Sequence, residues 1–511
     1  MVDGLPPYPS LSKEGSQGSQ MQPTPCVLGI DLGTSSIKLV TVSGDGHVVA
    51  SAREPYDTIS TAPGQAEQDC QHWLKALSVA AKKIGRHLTH EARVAGVALT
   101  GQMPTLVVLS RQKPVGRAIT WQDSRANGWV SERVGKDFRR DVYRRTGVPI
   151  DGRYLAPMFQ YHHGPQQKAH TILSAKDFLF HALTGLMVTD PSTASGYGLY
   201  NLHTKAWDPE LCKFWGISKE RLPAIEASSF RAPLSEQGGQ LINCAPGTPV
   251  VLGCADSVAG AYALSGDQQP PETATVLTGT STVIIRCDSQ PRWDRLGRYL
   301  ITPFAVDHLY GCEADLLATG SAREWAVKVF LRRGDTKTRR SFWHSAYEIA
   351  PGAGGLLFAP FLAGGEEEVL WNSSLRGTLA GLTLAHNKAE IVRALLEGMS
   401  FEIRRCLEVF EEEVPLSLVR VGGWIADIPQ EVQMLADIIG RPTHAFRLES
   451  APAIGATLLT GLVDTKKYFA NTKPTVYAPG QRSKCYSQIY ARYVAQFPAG
   501  TTTGSPPQSR C

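Results

Sequence analysis

Residues 27–30 form an apolar run, and residues 37–42 form a second, broken only by Lys38 and Thr41. Two such runs around the short stretch 31–36 predict an antiparallel hairpin. A Gly44-Asp45-Gly46-His47 turn and an apolar stretch at 48–52 extend it into a three-strand meander. The period then changes. Trp73, Leu77, Ala80 and Ala81 recur at helical spacing and predict a helix over 70–84. Buried strands are predicted at 92–99 and 106–109, and residues 118–125 read as a strand running into a polar tip. The strand at 92–99 leads into Thr100-Gly101-Gln102-Met103-Pro104, a loop beyond a strand's carboxyl end, where α/β folds place ligand groups. Residues 174–183 read as a helix ended by Thr184-Gly185, and 190–195 as a loop of small residues. A strand at 250–256 delivers Asp256 to its end, and a small-residue helix at 257–264 follows.

The opening pattern then returns. Residues 274–278 and 283–287 read as strands around Gly279-Thr280-Ser281-Thr282, a near copy of Gly33-Thr34-Ser35-Ser36. An internal duplication, one hairpin per half, accounts for this economically. Helices are expected at 389–410, 430–439 and 451–462, and a strand at 418–421 ends in Gly422-Gly423-Trp424.

Composition narrows the picture little. Hydrophobic residues make up 42% of the 511 residues and charged residues 19%, which is ordinary globular composition. The length suggests two or more domains. A net charge of +5, spread along the chain, is too mild to point to nucleic acid. No apolar run approaches the length of a bilayer span. Residues 1–25 lack the basic start and apolar core of a signal peptide and, like 495–511, read as a disordered tail. The ten cysteines are scattered and form no C-x-x-C pair, which predicts reduced thiols and a cytoplasmic protein.

The first turn carries candidate chemistry. Gly33 lets backbone N–H groups approach a ligand, Thr34, Ser35 and Ser36 add hydroxyls, and Lys38 adds a cation. These suit phosphate oxygens. Asp31 repels them unless a divalent metal lies between. A Mg-nucleotide hairpin and an ordinary glycine hairpin both satisfy this stretch.

Eight motifs in order carry a resemblance. They are Gly29-Ile30-Asp31-Leu32-Gly33-Thr34-Ser35, Gly101-Gln102-Met103, Trp121-Gln122-Asp123-Ser124-Arg125, Lys176-Asp177-Phe178-Leu179, Gly253-Cys254-Ala255-Asp256, Gly279-Thr280-Ser281, Leu375-Arg376-Gly377 with Gly381-Leu382-Thr383, and Gly422-Gly423. With them the chain resembles the FGGY carbohydrate kinases, and within that family the xylulokinases. The resemblance implies an α/β, two-domain actin-like ATPase (ribonuclease H-like) fold, shared with hexokinase and Hsp70, with a cleft between duplicated domains. It places an N-terminal domain at 26–264 and a C-terminal domain at 265–494.

It further implies phosphoryl transfer from ATP with Mg²⁺, and D-xylulose converted to D-xylulose 5-phosphate. Asp256 is the expected general base, and Asp31 the metal-side carboxylate, with both acids near the metal. Gly33, Thr34, Ser35, Gly279, Thr280 and Ser281 would grip phosphates, and Gly422 and Gly423 would border the nucleotide. Gln102, Met103, Asp123 and Asp256 would meet the sugar. The partners implied are a small sugar and ATP, with no nucleic acid or membrane and with room for a homodimer.

Two departures stand out. Pro104 replaces the histidine that usually follows Gln-Met in xylulokinases. Trp424-Ile425-Ala426-Asp427 replaces the usual Gly-Ala-Arg-Ser, leaving Trp424 either against adenine or in the core. Another ketose or polyol is thus an alternative acceptor, and a low-turnover nucleotide-binding regulatory protein is an alternative function. Closure is expected about a hinge near 264–269. His162-His163 and the run Glu366-Glu367-Glu368 read as solvated surface.

Overall fold

The computed structural model describes residues 24–87, 92–164, 170–267, 269–331, 335–363, 369–372 and 374–498. The predicted meander is β1 (Thr24–Leu32), β2 (Ser36–Ser43) and β3 (Val48–Pro55), followed by helix α1 (Cys70–His87) and strand β4 (Ala92–Gly101). After helix α2 (Ala175–Thr184) come the short β5 (Arg231–Pro233), then β6 (Pro249–Ala255) and helix α3 (Asp256–Ser265). The sheet order is β5-β6-β4-β1-β2-β3. β1 pairs antiparallel with β2 and parallel with β4, β6 runs parallel to β4, and β5 closes one edge antiparallel to β6.

The second half repeats this arrangement. Its elements are β7 (Thr273–Thr278), β8 (Thr282–Asp288), β9 (Leu300–Pro303), β10 (Tyr310–Leu316) and helices α4 (Gly320–Phe330) and α5 (Lys388–Glu411). They continue through β11 (Leu418–Gly423), α6 (Pro429–Ile439), β12 (Thr443–Ala445), α7 (Ala451–Leu458), β13 (Thr475–Tyr477) and α8 (Ser483–Gln496). The order is β9-β10-β8-β7-β11-β12-β13. β7 pairs antiparallel with β8 and parallel with β11, and β12 runs parallel to β11. Strand for strand, β7, β8, β10, β11 and β12 stand for β1, β2, β3, β4 and β6. The repeat seen in two Gly-Thr-Ser turns is therefore a duplication of whole sheets.

Apolar residues fill the faces that this topology creates. Leu28, Ile30, Leu39, Trp73, Leu77 and Leu99 bury the first sheet under α1, and Val276, Val392, Leu395, Val419, Val421 and Leu435 bury the second under α5 and α6. Each buried Leu or Val contributes roughly 1.5–3 kcal/mol relative to exposure.

Two helices lie between the sheets. α7, from the second half, packs on β1, β2 and β4, while α3 also reaches β7 and β11. Small residues make the approach possible. A Cβ on Gly455 would stand 1.8 Å from the Ala259 carbonyl oxygen, and one on Gly29 would stand 2.3 Å from that of Ala453.

Several boundaries differ from expectation. β1 starts at Thr24, inside the expected tail, and α8 runs to Gln496. α7 ends at Leu458, short of 462. Residues 190–195 form a short helix, Pro191–Ser195, because Asp190 caps it by accepting from the Ser192 N–H at 3.0 Å and Pro191 presets its first turn. The remainder of both tails, the Glu366–Glu368 run and Gln268 within the expected hinge lie outside the described residues. Among the described residues no helix is long and apolar enough to cross a membrane.

Candidate active site

The two Gly-Thr-Ser turns face one cavity of about 490 Å³ between the sheets. β1 ends there with Asp31, whose cross-strand partner is Lys38. The Lys38 Nζ is 3.2 Å from Asp31 Oδ2, and the Ser450 hydroxyl donates to that oxygen at 3.3 Å. Ser450 is the N-cap of α7, so the second half supplies it. Asp31 Oδ1 is buried without a hydrogen-bond partner. An ionised carboxylate oxygen in that position is expensive unless a ligand completes it.

Asp256 opens α3 on the same cavity. Its Oδ1 accepts from the Ser257 N–H at 2.9 Å. Burial and then the neighbouring Asp31 charge push its pKa up to about 7, against the pull of the Ser257 N–H and Lys38. A carboxyl poised there suits proton transfer near neutrality better than an ordinary helix-starting Asp.

The turns are braced from behind. In the first, the Trp121 indole N–H donates to Thr34 Oγ1 at 3.1 Å, Gln68 Nε2 donates to the Thr34 carbonyl at 2.6 Å, and the Tyr56 hydroxyl donates to the Gly33 carbonyl. In the second, the Trp424 indole N–H donates to the Gly279 carbonyl at 2.9 Å, and the Ser321 N–H donates to that of Thr280 at 3.1 Å. Gly33 and Gly279 close their own turns, donating to the Ser36 carbonyl at 3.2 Å and the Ser281 carbonyl at 2.7 Å, and Thr34, Ser35, Thr280 and Ser281 line the cavity beside them. Gly423 lines it too. At φ +80° a Cβ there would meet the Thr278 carbonyl at 1.9 Å, so only glycine fits. Gly422 lies beneath the cavity against Leu264 and Leu277.

Trp424 is neither fully buried nor fully exposed. It lines the cavity and carries the Arg323 guanidinium 4.6 Å from its ring centroid.

At the far end stand Met103, Pro104, Trp121, Arg153, Tyr154 and Ser195. Two expected sugar contacts, Gln102 and Asp123, are not among the residues that line the cavity, although Gln102 Oε1 is buried without a hydrogen-bond partner. Gln102 is buried behind the wall, with its N–H on the Leu32 carbonyl at 2.8 Å and its Nε2 on Gln68 Oε1 at 2.9 Å. Asp123 is also buried. Its oxygens accept from the Ala66 N–H at 3.0 Å and from Arg125 Nε at 2.9 Å and Nη2 at 2.6 Å. Arg125 continues to Glu67 at 2.7 Å, as a carboxylate-pairing Arg does. His162 is not surface either. It sits 3.9 Å from Asp123 Oδ1, and burial lowers its pKa to about 4, while His163 stacks on Phe159.

Arg153, Tyr154, Ser195, Glu313 and Asp315 line the cavity without having been singled out in the sequence. Glu313 and Asp315 carried a signal, two acids at i and i+2 within an apolar strand pattern, hence on one face of β10. Glu313 is buried and accepts from the Thr302 hydroxyl at 2.5 Å. Arg153 sits within a turn and had no pattern to mark it.

Residues 26–263 match the N-terminal domain of the FGGY family of carbohydrate kinases, and residues 274–462 match its C-terminal domain. The chain is 27% identical over 486 residues to the xylulose kinase of Bacillus subtilis (strain 168), covering 91% of this chain and 95% of that protein. It is 29% identical over 452 residues to the glycerol kinase of Gloeobacter violaceus, covering 85% and 88%. The crystal structure of gluconate kinase from Lactobacillus acidophilus superposes with a TM-score of 0.81 at 25% identity, covering 93% of this chain and 97% of that one. Relatives of similar identity thus carry three different acceptor names. Both halves of the cleft are accounted for by one family: the chain belongs to the FGGY family of carbohydrate kinases, with their two-domain, actin-like fold.

Proposed function

We propose that this chain transfers the γ-phosphoryl group of ATP to a terminal sugar hydroxyl, with D-xylulose, giving D-xylulose 5-phosphate, as the acceptor to test first. The observation that carries the reading is the convergence of Asp31, Asp256 and both Gly-Thr-Ser turns on one cavity. The backbone N–H and hydroxyl groups of Thr34, Ser35, Thr280 and Ser281 bind phosphate oxygens, and Gly33, Gly279 and Gly423 allow close approach. Asp256 accepts the proton of the attacking hydroxyl. The hydroxyl oxygen bonds to the γ-phosphorus as the bond from that phosphorus to the β–γ bridging oxygen breaks, and ADP leaves.

The unpartnered Asp31 Oδ1 fits a divalent cation. Asp31, with Asp256 beside it, would hold Mg²⁺ through its water shell, and the ion when bound neutralises phosphate charge. Met103, Pro104, Trp121, Tyr154 and Ser195 form the acceptor wall, which Gln102 and Asp123 brace from behind. Two observations favour a second acceptor class. Pro104 offers no N–H or ring nitrogen to a sugar, and Arg153, 5% exposed, puts a guanidinium at that wall.

A panel of ketoses, aldoses, polyols and sugar acids in a coupled ADP assay tests both readings. ADP release with D-xylulose above the no-sugar background supports the first. Release with another acceptor and none with D-xylulose overturns it.

A further inference from the structure

The strand that carries Asp256 does not end as an ordinary strand. The pairing of β6 with β4 shifts register between Val251 and Cys254, which sets Leu252 and Gly253 outside the regular ladder. Bulges of this kind re-aim the residues that follow. Here the freed Leu252 groups and the Gly253 N–H have partners, the Leu252 N–H donating to the Phe230 carbonyl at 2.8 Å. The Gly253 N–H donates to the Ser228 carbonyl at 2.9 Å, and Gly253 sits at φ +69°, where a Cβ would stand 1.6 Å from the Leu99 carbonyl oxygen. Lys176 Nζ donates to the Leu252 carbonyl at 3.3 Å, and the Thr100 hydroxyl donates to the Cys254 carbonyl at 2.7 Å.

The last link before the acid is a side chain. The Ala255 N–H donates to Ser192 Oγ at 2.9 Å. Because that oxygen accepts, the Ser192 proton points to Asp190 Oδ2, with which it is hydrogen-bonded. The other Asp190 oxygen, Oδ1, lies 3.1 Å from Lys176 Nζ, and Lys176 also lies 3.1 Å from Asp177 Oδ1. Lys176, Asp177, Asp190 and Ser192 are all essentially inaccessible to solvent. Lys176 therefore holds both ends of one chain, directly through Leu252 and indirectly through Asp190 and Ser192. The helix that bears Ser192 also carries Ser195 into the acceptor wall, and Gly196 behind it packs on Met103.

We infer that Ser192 is a positioning residue for Asp256: its hydroxyl, fixed by Asp190 and Lys176, sets the direction in which the strand end presents the carboxylate to the acceptor hydroxyl. The proposal rests on Asp256 as the base. Ser192 touches no reacting atom, and its effect falls on turnover, not on the binding of either substrate.

The test is steady-state kinetics on Ser192→Ala and Ser192→Thr in the full chain, with any acceptor that the panel shows to be active. Misplacing a reacting group by about 1 Å costs on the order of 100-fold. Ser192→Ala is expected to lower kcat by roughly 10- to 100-fold, with both KM values within about twofold and with MgADP binding retained. Ser192→Thr, which keeps the hydroxyl, is expected to recover most of the rate. A residue with only a structural role would lower the melting temperature and leave kcat per folded molecule unchanged, and that result overturns the proposal. So does Ser192→Thr as slow as Ser192→Ala with both folded. Should Ser192→Ala not fold, Ser192→Cys, of similar size but a weak acceptor, is read in its place. Asp256→Ala separates the two layers. If it keeps full turnover, the base assignment fails. If it is inactive while Ser192→Ala is at wild-type kcat, the positioning proposal alone fails.

Discussion

The molecule contains the same device twice, a Gly-Thr-Ser turn at a strand end facing the start of a crossing helix, and the two copies have diverged in charge. In the first, Asp31 precedes the turn, pairs with Lys38, and meets Ser450 at the start of α7. In the second, Leu277 holds the matching position, with its methyl groups against Gly260 of α3 and against Gly422. The crossing helices differ in the opposite sense. α3 starts with the acid Asp256, while α7 is capped by the neutral Ser450. Both of these carboxylates come from the first half, and the second turn has no acid at its strand end, where the second sheet instead brings Glu313 and Asp315 of β10 to the cavity. Duplication supplied two matching turns, to which the proposed function gives the phosphates. In the proposed reaction, the acid beside the first turn marks the metal side of the cavity.

Removing the acids breaks this asymmetry most severely. Asp256→Ala should lower kcat by about 10²–10⁴-fold, read by coupled ADP release, while MgADP still binds in a calorimetric titration. Asp31→Asn should abolish the stabilisation of the MgADP complex over the ADP complex in thermal melts and lower kcat by about 100-fold or more, with part of the rate regained at high Mg²⁺. Making the second turn like the first is the converse test. Leu277→Asp puts an uncompensated acid beside the phosphates and should raise the KM for ATP by about tenfold, while the acceptor KM stays within about twofold.

The pH response follows from Asp256. Its proton leaves only near pH 7 in the folded protein, against 3.8 for an ordinary Asp. The base must be ionised to act, so kcat/KM for the acceptor should rise with pH and level off above about 7. Stability without ligands runs the other way. Between these two values the folded state holds a proton that the unfolded state has released, so stability falls as pH rises through that window. Asp256→Asn should flatten this dependence and melt higher than wild type at pH 8.

Much of this was legible in the sequence for a physical reason. Strand–turn–strand units leave a period-two trace and glycine marks their turns, so both hairpins and the strand carrying Asp256 could be placed from residue types alone. The wall proposed to meet the acceptor was not legible in the same way. Gln102 and Asp123 lie within the right motifs, but the direction of a side chain beyond a strand end is set by tertiary partners, here Gln68 and Arg125. Arg153 and Tyr154 enter the cavity from a segment without periodicity. The crossing of α3 and α7 shows in the sequence only as small residues, Gly260 and Gly455 among them, with nothing to say which sheet each helix would cover.

The most direct test of the account is ³¹P NMR of a reaction containing this protein, ATP, Mg²⁺ and D-xylulose, run beside Asp256→Ala. The account predicts a phosphate monoester on a primary alcohol, formed in step with ADP by the wild-type chain and about 100-fold or more slowly by the variant. Inorganic phosphate with ADP and no ester, or ester formation at the wild-type rate in Asp256→Ala, would contradict it.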